Sequence, residues 1–183
     1  ITPFTALSQV SFTFSNVMAG SGLPSKDSRV DEVFDYNNDG LEDLFLAYYG
    51  ISQKRALYKN NGNGTFTDVS TQTNLDTNNH GSTYAADFNN DGFMDLVSVN
   101  TNTDSVYISL FNGVSFVNSQ FYLGVDVYRF YAIGDYDQDG LVDLYCSIKP
   151  TSSVLRISVF RNTIYNCQSA FNKRVDIVSS SLA

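Results

Sequence analysis

Hydrophobic and polar positions along this chain change over in short runs. In Val154-Leu155-Arg156-Ile157-Ser158-Val159 the later positions alternate with a period of two, which marks a half-buried strand. Runs of the same length, rich in Val, Ile, Leu, Tyr and Phe, predict strands at residues 29–34, 44–49, 56–59 and 65–69. Four more are predicted at 83–88, 96–99, 105–111 and 115–117, and another four at 129–133, 144–148, 154–160 and 174–178. Asn, Asp, Ser and Gly separate them, as expected for turns. No segment carries a helical period over three turns, so the expected fold class is all-β.

The strands fall into groups of four because the text between the first and second strand of each group repeats. DYNNDGLEDL starts at Asp35, DFNNDGFMDL at Asp87 and DYDQDGLVDL at Asp135, offset by 52 and then 48 residues. That period matches one four-stranded propeller blade. Residues 28–75, 76–124 and 125–183 are therefore read as three blades of a single repeat domain spanning 1–183. Residues 10–27, VSFTFSNV with its following AGSGL, read as the fourth strand and connector of a preceding unit, by comparison with TFTDVSTQTNL.

Composition narrows the function. Eleven Lys and Arg against nineteen Asp and Glu give a formal charge of −8, which repels a phosphate backbone, so nucleic-acid binding is not expected. No apolar stretch approaches the ~20 residues of a membrane-spanning helix, and membrane insertion is not expected. The 43% hydrophobic content argues against wholesale disorder. The chain starts at Ile1 with no initiator Met and no segment having a charged start and an apolar middle. The expectation is that any export signal has already been removed.

The repeated loop carries the chemistry. Its spacing DxNxDGxxD sets side-chain oxygens at positions 1, 3, 5 and 9 around a tight turn, with the carbonyl of position 7 as a fifth donor. Hard oxygen donors in this number suit Ca²⁺. The candidate ligands are Asp35, Asn37, Asp39, Leu41 and Asp43; Asp87, Asn89, Asp91, Phe93 and Asp95; Asp135, Asp137, Asp139, Leu141 and Asp143. Two carboxylates ~4 Å apart repel by roughly 4 kcal/mol at an effective dielectric of ~20, so converging Asp residues call for a cation. Three Ca²⁺ ions add six positive charges and take the net charge from −8 to −2. An EF-hand also requires a Glu at position 12 and flanking helices, whereas position 12 here is Leu46, Ser98 or Cys146. The third loop has a fourth Asp, so tightest binding is expected there. A metal-free Asx-type turn is the plainer reading of any one copy.

FDYNNDGLEDLFLAY followed by LYKNNGNGTFTDVS resembles a unit of the FG-GAP and VCBS repeats, found in integrin α propellers and many secreted proteins. The resemblance spans residues 10 to about 178. It implies blades of four antiparallel strands with Ca²⁺ in the loop between the first two, an extracellular or cell-surface location, and a structural or adhesive role without catalysis. The Gly-Ala-Pro cassette is missing and Phe-Gly is reduced to Ile133-Gly134 in the third unit alone, which favours the VCBS type. Family propellers usually close with seven blades. Three blades and one extra strand therefore imply further blades of a parent chain or copies of this one as partners, the copies assembling into rings or filaments. Alternatives are a lectin-like propeller that binds glycans or cell-surface proteins, and a non-catalytic propeller portion of a secreted enzyme acting on polysaccharide or lipid.

The remaining signals are weaker. Cys146 and Cys167 are a candidate disulfide, with two free thiols as the alternative. Asn63 heads the sequon Asn63-Gly64-Thr65, a candidate glycosylation site. His80 is the only histidine and is read as a solvated connector residue. Tyr48, Tyr49, Tyr122, Tyr128 and Tyr131 are read as packing between blades, or as a platform on which sugars stack.

Overall fold

The structure, a computed structural model, describes residues 15–16, 18–24, 28–48, 54–78, 81–100, 103–122, 127–148, 156–163 and 176–178. It contains three four-stranded antiparallel sheets, and there is no helix among the described residues. The first sheet comprises β1 (Ser28–Phe34), β2 (Asp43–Tyr48), β3 (Arg55–Asn60) and β4 (Phe66–Asp68). The second comprises β5 (Ser82–Ala86), β6 (Asp95–Asn100), β7 (Ser105–Phe111) and β8 (Phe116–Tyr122). The third comprises β9 (Val127–Gly134), β10 (Asp143–Ile148), β11 (Arg156–Arg161) and β12 (Asp176–Val178). Every strand pairs with its neighbours in the chain, so each sheet is a simple meander.

One strand departs from the expected run. β8 was expected to end at residue 117 and continues to Tyr122. Asn118, Ser119 and Gln120 carry no apolar alternation, but they lie opposite Ser109, Ile108 and Tyr107. The ladder offered by β7 satisfies their backbone groups whatever their side chains. Residues 10–14 and 17 of the leftover segment VSFTFSNV lie outside the described residues, as do His80, Tyr49 and Cys167 and the side chains of Tyr128 and Tyr131.

Successive sheets pack face to face. Phe34, Tyr36, Phe45 and Leu57 of the first unit meet Leu96, Phe111 and Phe116 of the second. Phe88, Val97, Val106 and Ile108 of the second meet Leu144, Cys146 and Phe160 of the third. β6 is covered on both sides, since Leu96 belongs to the first contact and Val97 to the second. That is why adjacent positions, Leu96 and Val97, are both apolar, where a strand with one solvated face would alternate. Below, the face of a sheet toward the next unit is its trailing face and the other its leading face.

Connectors bind to the following unit. Phe116 at the start of β8 donates its N–H to the Thr73 carbonyl at 2.7 Å and accepts from the Asn74 amide at 3.0 Å. Phe66 at the start of β4 donates to the Ser21 carbonyl at 2.6 Å in the same manner. Gly22 makes that approach possible: its φ is +80°, and a Cβ there would lie 2.5 Å from the Phe66 carbonyl oxygen. Residues 18–24 thus serve the first sheet as residues 70–76 serve the second.

Arg55 was not anticipated as a core residue. It is buried between the first two sheets, where it donates to the Thr83 hydroxyl at 3.2 Å, to Ser98, and to the Asp76 carbonyl at 3.0 Å. Its guanidinium sits 5.4 Å from the centre of the Phe45 ring. Burial depresses its pKa to about 10. Arg55→Ala is expected to destabilise the chain by about 2–4 kcal/mol, because it leaves a void and removes the bonds to Thr83, Ser98 and the Asp76 carbonyl. Arg55→Met should lose less than half as much, since Thr83 and Ser98 still bond each other at 3.0 Å. Urea melts of the two variants check the order.

The expected Cys146–Cys167 bridge is not seen. Cys146 is a free thiol, fully buried in the apolar contact between the second and third sheets. Its position opposite Ser158 on β11 points it inward, and burial pushes its pKa up to about 12. A thiol so placed is inert to oxidants.

Candidate metal centre

Each acidic loop joins the first strand of a sheet to the second, as expected, and all three share one backbone. Position 4 is left-handed in each loop, with φ of 59° at Asn38, 56° at Asn90 and 60° at Gln138. The glycine at position 6 is also left-handed, with φ of 84°, 89° and 87° at Gly40, Gly92 and Gly140. Two such residues in three positions coil the chain tightly, and a Cβ at position 6 would strain it.

The carboxylates hold this coil. At position 1, Asp35 accepts the N–H groups of Asp39 at 3.1 Å and Gly40 at 2.7 Å. Asp87 does the same for Asp91 at 3.0 Å and Gly92 at 2.9 Å. Asp135 does so for Asp139 at 3.2 Å and Gly140 at 2.9 Å. At position 5, Asp39, Asp91 and Asp139 accept from the N–H of position 7 at 3.1, 2.9 and 2.9 Å. Position 7 is Leu41, Phe93 or Leu141. Leu141 is buried, and the Phe93 ring packs edge-on against Phe111, 5.7 Å between centres.

Position 9 is the deepest. Asp43, Asp95 and Asp143 have no exposed surface, and each links the loop to the third strand of its sheet. Asp95 accepts from Phe88 N–H at 3.0 Å and Phe111 N–H at 2.8 Å. Asp43 accepts from Tyr36 at 3.1 Å and Asn60 at 2.7 Å, and Asp143 from Tyr136 at 2.8 Å and Asn162 at 2.7 Å. Burial pushes the carboxyl of Asp43 up, and that of Asp95 to about 7, against the lowering effect of the backbone donors.

The donor set fits a divalent ion best in the third loop. Asp135, Asp137 and Asp143 each bring one carboxylate oxygen within 4.8 Å of the others, the one such group of three acids among the described residues. Oxygens so spaced are within reach of a common centre at the 2.3–2.6 Å typical of Ca²⁺. Asp139 is outside that group and pairs with Arg161 at 3.0 Å. In the first two loops position 3 is an amide, and Asn37 and Asn89 donate to Asp39 at 3.1 Å and Asp91 at 2.9 Å.

Two cations escaped the sequence reading. Lys59 pairs with Asp39, and Arg161 pairs with both Asp137 and Asp139. The Lys59 ammonium holds the Asp39 carboxyl below its ordinary range, and Asp39 in turn raises Lys59. Each cation directly precedes the asparagine whose N–H bonds position 9, Lys59 before Asn60 at the end of β3 and Arg161, the last residue of β11, before Asn162; that shared Lys-Asn and Arg-Asn step was the available signal. The second unit has buried Leu110 at this register, so its acids face no cation from β7.

The other candidates are dispersed. Asn63 is exposed in the turn before β4, its carbonyl oxygen accepting the Thr65 N–H at 3.1 Å and hydroxyl at 2.7 Å. Tyr48 shares a hydrogen bond with Tyr58 at 2.9 Å within the first sheet, while Tyr122 is exposed on β8.

The FG-GAP-like repeat family matches the chain twice, over residues 35–98 and 87–146. Together the two matches cover more than half of the chain and include all three acidic loops. No curated protein matches the chain.

Proposed function

Because the chain belongs to the FG-GAP-like repeat family, we propose that it is a calcium-stabilised repeat scaffold of propeller type that works outside the cell without catalysing a reaction. The observation that carries this reading is the convergence of Asp135, Asp137 and Asp143. Asp35, Asn37, Asp39 and Asp43 would hold the ion of the first loop, and Asp87, Asn89, Asp91 and Asp95 that of the second. Asp135, Asp137, Asp139 and Asp143 would serve the third, with the position 7 carbonyls completing each set. Bound calcium supplies charge neutralisation there. The chain's own part is to coil the loop and to brace it on the third strand through position 9.

Face-to-face packing of successive meanders supports the propeller arrangement, and millimolar calcium outside cells supports the location. Rigid blades with broad faces suit adhesion or scaffolding. Isothermal titration of the calcium-stripped chain is expected to show three sites per chain, and absence of binding at millimolar Ca²⁺ would refute the reading.

Arg161 competes with the ion for Asp137 and Asp139. Arg161→Met is therefore expected to tighten the third site a few-fold, the modest size reflecting a half-exposed pair screened by solvent. The same titration checks it, and weaker binding would show that Arg161 shapes the site.

A further inference from the structure

Residues 29–32 of β1 and 82–84 of β5 line an open cleft of about 200 Å³ between the first two sheets. β1 and β5 are each the first strand of a sheet and pair on one side only among the described residues. Val30 on the wall of the cleft is 52% exposed. Drug-sized ligands occupy pockets of roughly 300–1,000 Å³, so this cleft suits a single long side chain.

Stacking of the repeat does not account for the acids in the cleft. β1 carries a bulge at Asp31, between Val30 and Glu32, where β5 is regular. A bulge re-aims the side chains beside it, and here Asp31 and Glu32, adjacent in the chain, both line the cleft. Glu32 lies opposite Phe45, on the trailing face of the first sheet. At the same register the second and third sheets hold Tyr84 and Ala132, so the packing of one sheet on the next requires no acid there.

Glu32 is the charge left over. Arg29 donates to Asp31 from Nε, and from Nη2 at 3.5 Å, and the Asp31 side chain is only 6% exposed. No hydrogen bond or ion pair reaches the half-buried Glu32 carboxylate from the described residues. Burial, and after it the neighbouring Asp31, raises the Glu32 carboxyl; burial, and after it Glu32, raises the Tyr84 phenol. A partly buried anion without a donor is costly, and a cation beside it offsets that cost. Across the cleft Thr83, on the leading face of the second sheet, is bonded to Arg55. The hydroxyl oxygens of Ser82 and Tyr84 can each accept a further N–H.

We infer that the cleft between β1 and β5 binds the guanidinium of an arginine side chain within a partner peptide, with Glu32 as its counter-ion. A guanidinium brings five N–H donors and no acceptor, meets a carboxylate through two parallel bonds, and sheds water more readily than an ammonium. Val30 offers an apolar surface to its methylene stem. The net charge of −8 draws basic partners toward the chain. Free arginine would bring its own carboxylate close to Glu32, which favours an arginine inside a peptide. None of the lining residues belongs to an acidic loop, so the inference goes beyond the scaffold reading and does not rest on it.

Two-dimensional ¹H–¹⁵N NMR of the full chain in 2 mM CaCl₂ and 150 mM NaCl, titrated with Nα-acetyl-arginine amide, tests it. The salt screens attraction to the charge of the chain as a whole. Saturable shifts are expected at the amides of residues 29–32 and 82–84, with millimolar affinity. Glu32→Gln keeps the size of the side chain and should weaken binding about fivefold or more, while resonances away from the cleft stay in place and confirm folding. Nα-acetyl-citrulline amide, the neutral isostere of the probe, should leave the wild-type spectrum unchanged. Nα-acetyl-lysine amide and free arginine should each bind several-fold more weakly than the probe.

Shifts confined to the acidic loops, citrulline binding as tightly as arginine, or wild-type affinity in Glu32→Gln overturns the inference. Lysine binding as tightly as arginine overturns the choice of a guanidinium, and free arginine binding as tightly overturns the peptide. The ligand series on the wild type needs no variant to fold.

Discussion

Stripping calcium is expected to lower the melting temperature of the wild-type chain by about 15–30 °C. A ligand at a hundredfold excess over its dissociation constant stabilises the folded state by ~2.7 kcal/mol per site, so three sites contribute about 8 kcal/mol. At the size of this chain each kcal/mol is worth roughly 2–4 °C. The physical origin is the crowding of carboxylates in loops whose backbone is already coiled, most acutely at Asp135, Asp137 and Asp143. Scanning calorimetry in 2 mM CaCl₂ and in EGTA, with Mg²⁺ as the control, reads the difference directly. Coincident transitions would dismiss calcium as the stabilising agent.

Asp95→Ala should be the most damaging single change in the loops, and its cost should persist without calcium. Asp95 joins two backbone N–H groups that lie 23 positions apart in the chain, Phe88 and Phe111, and both are buried. A buried backbone donor left without its acceptor costs about 1–3 kcal/mol, so losing the acceptor of both costs about 2–6 kcal/mol. Asp91→Ala, by contrast, removes an exposed carboxylate that accepts from Phe93 inside the loop, and should matter chiefly when calcium is present. Denaturant unfolding of both variants with and without EGTA separates the strut from the ligand. Because Asp95 would also hold the ion, the decisive comparison is in EGTA: an Asp95→Ala cost no larger there than that of Asp91→Ala would refute the strut role of position 9.

What was legible in the sequence was local. Strand periods, the loop spacing and its threefold repetition depend on residues within ten or so of one another, and the observed strands follow them apart from the extended β8. The backbone of the loops was equally readable, because Gly40, Gly92 and Gly140 stand where the coil demands left-handed geometry. By itself the chain thus determined three meanders with an acidic turn in each.

Only the tertiary structure decided what faces those turns. Lys59 and Arg161 reach the carboxylates from the third strand, whereas Leu110 at the same register is buried in the core. Charge counting along the loops alone ranks the third site first; Arg161 opposes that ranking. Arg55, which no sequence pattern singled out, is an interior donor because the second sheet presents Thr83 and Ser98 to it. Likewise, repetition made Tyr36, Phe88 and Tyr136 look alike, yet stacking buried two and left one open. Spacing along a strand fixes which face a side chain takes, but burial and ion pairing depend on what other segment is brought against that face, and only the packed sheets supply it.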